Sequence, residues 1–162
     1  MTTTLTPQPY VLHQSDPVWY ADGLFEFLIP SELTGGAMSV FRATCPAGFG
    51  PPRHVHTRED EVFLVLEGDV AFEVAGRRQL AGPGTSVWMP RGVPHAFRIE
   101  SENATMLGVI SPGHFEGLFR ALGVPALERA MPPAGAAPLD LTAVMAEQRA
   151  RGTDVVGPPL ED

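Results

Sequence analysis

The chain has 162 residues, 44% of them hydrophobic, and a formal net charge of −8 at pH 7, a size that suits one domain able to bury a core of its own. A single cysteine, Cys45, excludes an intrachain disulfide, and the 11 basic residues, all arginine and scattered apart from Arg77 and Arg78, leave no patch for a phosphate backbone, so nucleic acid is not an expected partner. The opening residues MTTTLTPQPYVLHQSDPVWY show no basic stretch followed by an apolar one, and no later run is long enough to span a bilayer, so the expectation is a soluble cytoplasmic protein with no membrane partner.

Residues 1–35 read as an N-terminal arm without a helix-turn-helix or a basic cluster. Seventeen glycines and seventeen prolines then divide the chain into short segments, several of which alternate as strands do. Between residues 38 and 110 these are MSVFRATC, EVFLVLE, DVAFEVA, TSVWM, HAFRIE and ATMLGVI, so the core of the domain, about 36–110, is predicted to be an all-β sandwich or barrel. Cys45, at the end of the first of these strands, reads as an apolar filler. In DVAFEVA only Val70, Phe72 and Val74 share an apolar face, the mark of a half-buried strand. EVFLVLE differs: Phe63 and Val65 accompany Glu61 on one face, and Val62, Leu64 and Leu66 make the other apolar too. That second face calls for a cover, from the N-terminal segment, a C-terminal helix or another subunit.

Residues 111–162 read as a helical extension. Ser111 and Pro112 suit an N-cap and a first helical position, and Phe115, Leu118, Phe119 and Leu122 follow at the spacing of one helical face, closed by Gly123. MPPAGAAPL (131–139) reads as a linker, and residues 141–150 as a second short helix with Leu141, Val144 and Met145 on one side.

Chemistry concentrates in two places. His54 and His56 are two residues apart, so on a strand both imidazoles leave one face. After the turn-like TRED, Glu61 opens the next strand on its Phe63 and Val65 face, and His95 opens a strand whose other inward residues are Phe97 and Ile99. Three imidazoles and a carboxylate suit one divalent transition metal, Fe, Mn, Co, Ni, Cu or Zn, and are too nitrogen-rich for Ca or Mg. The plainer reading is a His-x-His pair on an exposed edge strand. Glu59 and Asp60 sit in the turn with solvation as their expected role, Glu59 being the second choice of carboxylate. His13 and His114 read as solvated or capping residues. Phe41, Phe63, Val65, Phe72, Met89, Phe97 and Ile99 are candidates to line a pocket, with ordinary core the expectation for at least half of them.

The framing of these residues resembles the cupin superfamily. Its first motif, G-x5-H-x-H-x4-E-x6-G, is matched in full by Gly48, His54, His56, Glu61 and Gly68. Its second, G-x5-P-x-G-x2-H-x3-N, is matched by Gly84, Pro90, Gly92 and His95, with Ile99 where asparagine is usual, a position that does not bind metal in the family. SPGHFEGLFRALG and the late VGPP are similar to the tails of single-domain bacterial cupins of the quercetin 2,3-dioxygenase-like kind. The resemblance implies a double-stranded β-helix, or jelly roll, with one or two short C-terminal helices, a metal held by His54, His56, Glu61 and His95 near one open end, and a homodimer. It also implies a metal-dependent dioxygenase that uses O2 to cleave a flavonol or similar small enolisable phenol, with Glu61 accepting the substrate hydroxyl proton. Two other classes carry the same motifs: redox-neutral cyclases, isomerases or lyases, and non-catalytic cupins that bind a small molecule.

Overall fold

The computed structural model describes residues 7, 9–11 and 16–161; the expectation for His13 lies outside them. Among the described residues twelve strands form two antiparallel sheets. In chain order they are β1 (Pro17–Tyr20), β2 (Gly23–Ile29), β3 (Ser39–Pro46), β4 (Pro52–His56), β5 (Asp60–Glu67), β6 (Val70–Val74), β7 (Arg77–Ala81), β8 (Ser86–Met89), β9 (His95–Ile99), β10 (Asn103–Ser111), β11 (Val124–Pro125) and β12 (Thr153–Pro159). The large sheet runs β11-β1-β2-β3-β10-β5-β8 and the small one β12-β4-β9-β6-β7, an all-β jelly roll with two short helices, α1 (Glu116–Leu122) and α2 (Leu141–Ala150). No helix is long and apolar enough to cross a membrane.

The six strands predicted between residues 38 and 110 are all present, with ends displaced by one residue at most. Alternation locates them because each shows one face to the space between the sheets. On β3, Phe41, Ala43 and Cys45 are buried while Arg42 is exposed. Cys45 is fully buried and burial pushes its thiol pKa far up, as suits a filler. Phe41 lies against Gly108 of β10, where a Cβ would collide with the ring. Gly68, the last glycine of the first motif, turns β5 into β6 at φ 78°, and a Cβ there would strike the carbonyl oxygen of Asn103; both constraints require glycine.

The flanks are more ordered than the sequence indicates. Residues 17–29, placed in the arm, form β1 and β2, and β2 pairs with β3 from Leu24↔Thr44 to Ile29↔Val40. Ser111 does not cap a helix. It is the last residue of β10, paired with Asp60, and its hydroxyl donates to Ala37 O at 2.9 Å. A 3-10 turn over Gly113–Phe115 leads into α1 instead, and no side chain caps it. The predicted apolar face holds: Phe115 and Leu118 are buried, and Phe119 and Leu122 pack on the core. Gly123 ends α1 by donating its N–H to Phe119 O at 2.8 Å, with an extended φ of −79°. Asp140 caps α2, accepting from the N–H groups of Thr142 at 2.9 Å and Ala143 at 3.3 Å.

Residues 126–139 form a strap over the outer face of β1 and β2. There Ala137 packs with Trp19 and Leu24, Trp19 Nε1 donates to Ala130 O at 2.9 Å, and Arg129 reaches the buried Glu26 at 2.6 Å. The strap stops short of the doubly apolar β5, whose Leu66, with Trp88 of β8, remains exposed.

Candidate metal centre and its cavity

The two sheets bring the four motif residues to one point. His54 and His56 project inward from β4, and His95 stands beside His54 because β4 and β9 pair at that register. Glu61, second residue of β5, faces them from the large sheet. Imidazole centroids lie 4.4 Å apart for His54 and His95, 5.0 Å for His54 and His56, and 5.4 Å for His56 and His95. Glu61 Oε2 is 3.5 Å from His56 Nε2 and 3.4 Å from His95 Nε2. One donor atom from each of the four lies within 4.8 Å of the others, and all four residues are buried.

The opposite edges of the rings are anchored. His54 Nδ1 is 2.8 Å from Pro52 O and His95 Nδ1 is 2.9 Å from Val93 O. A carbonyl only accepts, so both Nδ1 atoms carry hydrogen and both Nε2 lone pairs face the cluster. His56 Nδ1 meets Thr153 Oγ1 of β12 at 3.1 Å and lies 3.5 Å from Glu59 Oε2. His56 Nε2 and His95 Nε2 are buried without a hydrogen-bond partner among the described residues. Buried polar atoms ordinarily find one, and inward lone pairs beside a carboxylate fit a bound divalent metal.

The cluster also concentrates charge. Burial pushes the Glu61 carboxyl up, but the charge of His56 and contacts with His56 and His95 outweigh it and hold the group well below the usual carboxylate range. Burial also opposes charge on His56, yet Glu61 and Glu59 raise it to about 9, while burial and neighbouring His95 lower His54 to about 4. The site thus holds an ionised carboxylate against its imidazoles.

Two turn residues depart from the solvation role read for them. Glu59 is 1% exposed and lies against His56, because the turn after β4 folds under that ring; it is outside the four-residue cluster. Asp60 accepts from the Arg91 backbone N–H at 2.9 Å and from its guanidinium at 2.8 and 3.1 Å, tying the turn ahead of His95 to the start of β5. Hydrogen bonds from Arg91 pull Asp60 down to about 2. His114 lies outside the cluster, exposed, with its ring over Gly36.

A cavity of about 490 Å³ opens beside His54 and Glu61, within the range of ~300–1,000 Å³ usual for small-molecule sites. Its barrel wall is aromatic: Phe25, Phe41, Phe49, Phe63, Phe97, Phe115 and Phe119. Of the seven predicted candidates, Phe41, Phe63 and Phe97 line it, and Val65, Phe72, Met89 and Ile99 are core. The opposite wall comes from the tail: Leu139, Val155 and Pro159 join Leu141, Val144, Met145 and Gln148 of α2. The apolar side read for α2 therefore borders open space, and Leu141 stays 71% exposed. Tyr20 and Gln148 went unnoticed in the sequence. Tyr20 gave no signal, whereas Gln148 is the polar residue that closes the 141, 144, 145 stripe.

The family profile described as the cupin domain matches residues 41–110, which contain all four residues of the cluster. The chain is a cupin. This cupin is 32% identical over 119 residues to quercetin 2,3-dioxygenase of Bacillus subtilis (strain 168), covering 72% of the chain and 35% of that relative. It is 30% identical over 137 residues to quercetin 2,3-dioxygenase of Aspergillus japonicus, covering 78% and 39%. The chain thus spans little more than a third of the length of these two relatives. Among solved structures, the RmlC-like cupin of Shewanella frigidimarina superposes with a TM-score of 0.59 at 16% identity, covering 70% of this chain and 98% of that one. KdgF of Halomonas sp. gives 0.57 at 17%, covering 66% and 94%. These two show the shared cupin barrel.

Proposed function

We propose that this cupin is a metal-dependent dioxygenase of the quercetinase kind, opening a flavonol or a similar small enolisable phenol with O2. The observation that carries the reading is a cluster of three imidazoles and an ionised carboxylate, two of whose members, His54 and Glu61, stand in the wall of a cavity lined by seven phenylalanines. Identity of 30–32% to two quercetin 2,3-dioxygenases supports it.

On this reading His54, His56, His95 and Glu61 hold one divalent transition metal, of the Fe, Mn, Co, Ni, Cu or Zn series. When bound, the metal supplies a Lewis-acid contact for a substrate oxyanion and a site for O2 chemistry. Glu61 presents an ionised carboxylate in reach of that position and takes the substrate hydroxyl proton as its catalytic base. The anchored Nδ1 atoms of His54 and His95 keep both rings from turning as the proton moves. The phenylalanine walls stack a flat molecule and exclude water, which strengthens every charge interaction inside.

Oxygen uptake by protein loaded separately with each metal, on a flavonol panel, tests the reading, with Glu61→Gln as control. Uptake that matches substrate loss and collapses in the variant supports it. Substrate turnover at the same rate without oxygen makes the enzyme redox-neutral instead.

The second expectation that enters here is the homodimer. We place its interface on the uncovered outer face of the large sheet, where Val62, Leu64 and Leu66 of β5 lie beside Trp88 and Leu107. A twofold axis through that face covers apolar surface on both copies at once.

A further inference from the structure

Beyond His54 and Glu61, three side chains with oxygen or nitrogen border the cavity: Asp22, which is exposed, and Tyr20 and Gln148, which are buried. Gln148 is 6% exposed and Tyr20 9%. Neither the Gln148 amide nor the Tyr20 hydroxyl makes a side-chain hydrogen bond among the described residues, and neither is among the fully buried unpartnered atoms, so each keeps some accessible surface where it borders the cavity. Gln148 is also the one buried residue of α2. It stands on the stripe of Leu141, Val144 and Met145, at the place where packing alone would favour another leucine or methionine. An amide that borders the cavity with no partner in the protein is free to pair with a ligand oxygen there. Tyr20 comes from the other side of the cavity, on β1, with its ring edge-on to Phe25 at 5.6 Å and to Phe119 at 5.3 Å. Burial pushes its phenol up to about 12, so at neutral pH it remains an O–H donor.

We propose that Gln148 and Tyr20 are the specificity-determining residues of this cavity, pairing with hydroxyl or carbonyl oxygens on the rings of a flat, multiply oxygenated aromatic ligand. The inference rests on the cavity being the substrate site. An amide offers two donors and an acceptor, and a phenol one donor and an acceptor. Together they reward oxygen substituents that the phenylalanine wall cannot recognise. A bare ring system of the same shape leaves both groups unpaired and binds less well for that reason.

The test is anaerobic binding to the metal-loaded protein of three compounds with one ring skeleton and decreasing oxygenation: quercetin, 3-hydroxyflavone and flavone. Wild type should prefer quercetin over 3-hydroxyflavone by about tenfold or more. Gln148→Leu and Tyr20→Phe should each lose most of that preference while keeping the affinity for flavone, which also reports an intact cavity. Gln148→Met, closer in length, serves if leucine disturbs α2. Variants that retain the preference, or a wild type that shows none, overturn the assignment. Oxygen uptake on the same compounds separates the two readings. Selective binding without uptake sinks the dioxygenase and leaves Gln148 and Tyr20 in place; uptake with unchanged preference in the variants does the reverse.

Discussion

His56 is held on both edges of its ring, by the cluster at Nε2 and by Thr153 and Glu59 at Nδ1. Replacing it with alanine should abolish bound metal and leave the barrel folded, because the core does not depend on it; metal analysis after gel filtration together with circular dichroism would show this, and full occupancy would remove His56 from the ligand set. Thr153→Val is a gentler change. It removes the Nδ1 partner without touching the cluster, and metal affinity measured against a competing chelator should fall by about tenfold. Wild-type affinity in this variant would mean that Glu59 alone orients the ring. Of these partners, sequence reveals the four motif residues through their spacing but not the second layer. Glu59 reads as solvent-facing because it sits in a charged turn, and Thr153 lies 97 positions from the histidine it meets.

At the scale of elements, the close contact between β3 and β10 is the most sensitive. Gly108→Ala should destabilise the protein by about 1–3 kcal/mol, read by chemical denaturation, since the added methyl group must displace the Phe41 ring. Phe41→Leu in the same chain should recover part of the loss; no recovery would place the strain elsewhere. Arg53 of β4 spans to Glu73 of β6 with a two-pronged contact at 2.5 and 3.0 Å, and this hydrogen bonding lowers the Glu73 pKa from its ordinary 4.5. A lowered carboxylate contributes stability above its ordinary pKa and loses it as pH falls through the folded value. Glu73→Gln should therefore melt earlier than wild type at neutral pH, with the gap closing below about pH 4.5; a gap of constant size across that range would rule out the ion pair as its source. The strands that sequence misses are those without alternation. All but one residue of β7 are exposed, β12 carries two prolines on a sheet edge, and β2 is buried on both faces by the strap.

For the whole molecule, the proposed metal and the proposed partner copy would act on stability and assembly. A metal that binds only the folded chain raises its stability by about 2.7 kcal/mol at a hundredfold excess over Kd. Thermal melts with added metal should shift upward, and chelator should reverse the shift; an unchanged melting temperature would argue against the four-residue site. Val62→Glu places a charge on the uncovered face of β5 and should convert a dimer to monomer by light scattering, with the fold retained. Equal masses for variant and wild type would move the interface off that sheet.

The cavity is assembled from distant parts of the chain. The four candidate ligands lie between residues 54 and 95, whereas Tyr20, Leu139, Gln148 and Val155 reach the same space from either end. Inheritance can act on the two halves separately: mutations in the flanks reshape what enters the cavity without disturbing the residues proposed to do the chemistry. Descendants of one such barrel can then diverge in substrate while keeping a common reaction. A ribosome making this protein would also complete the candidate metal cluster long before it closed the wall around it.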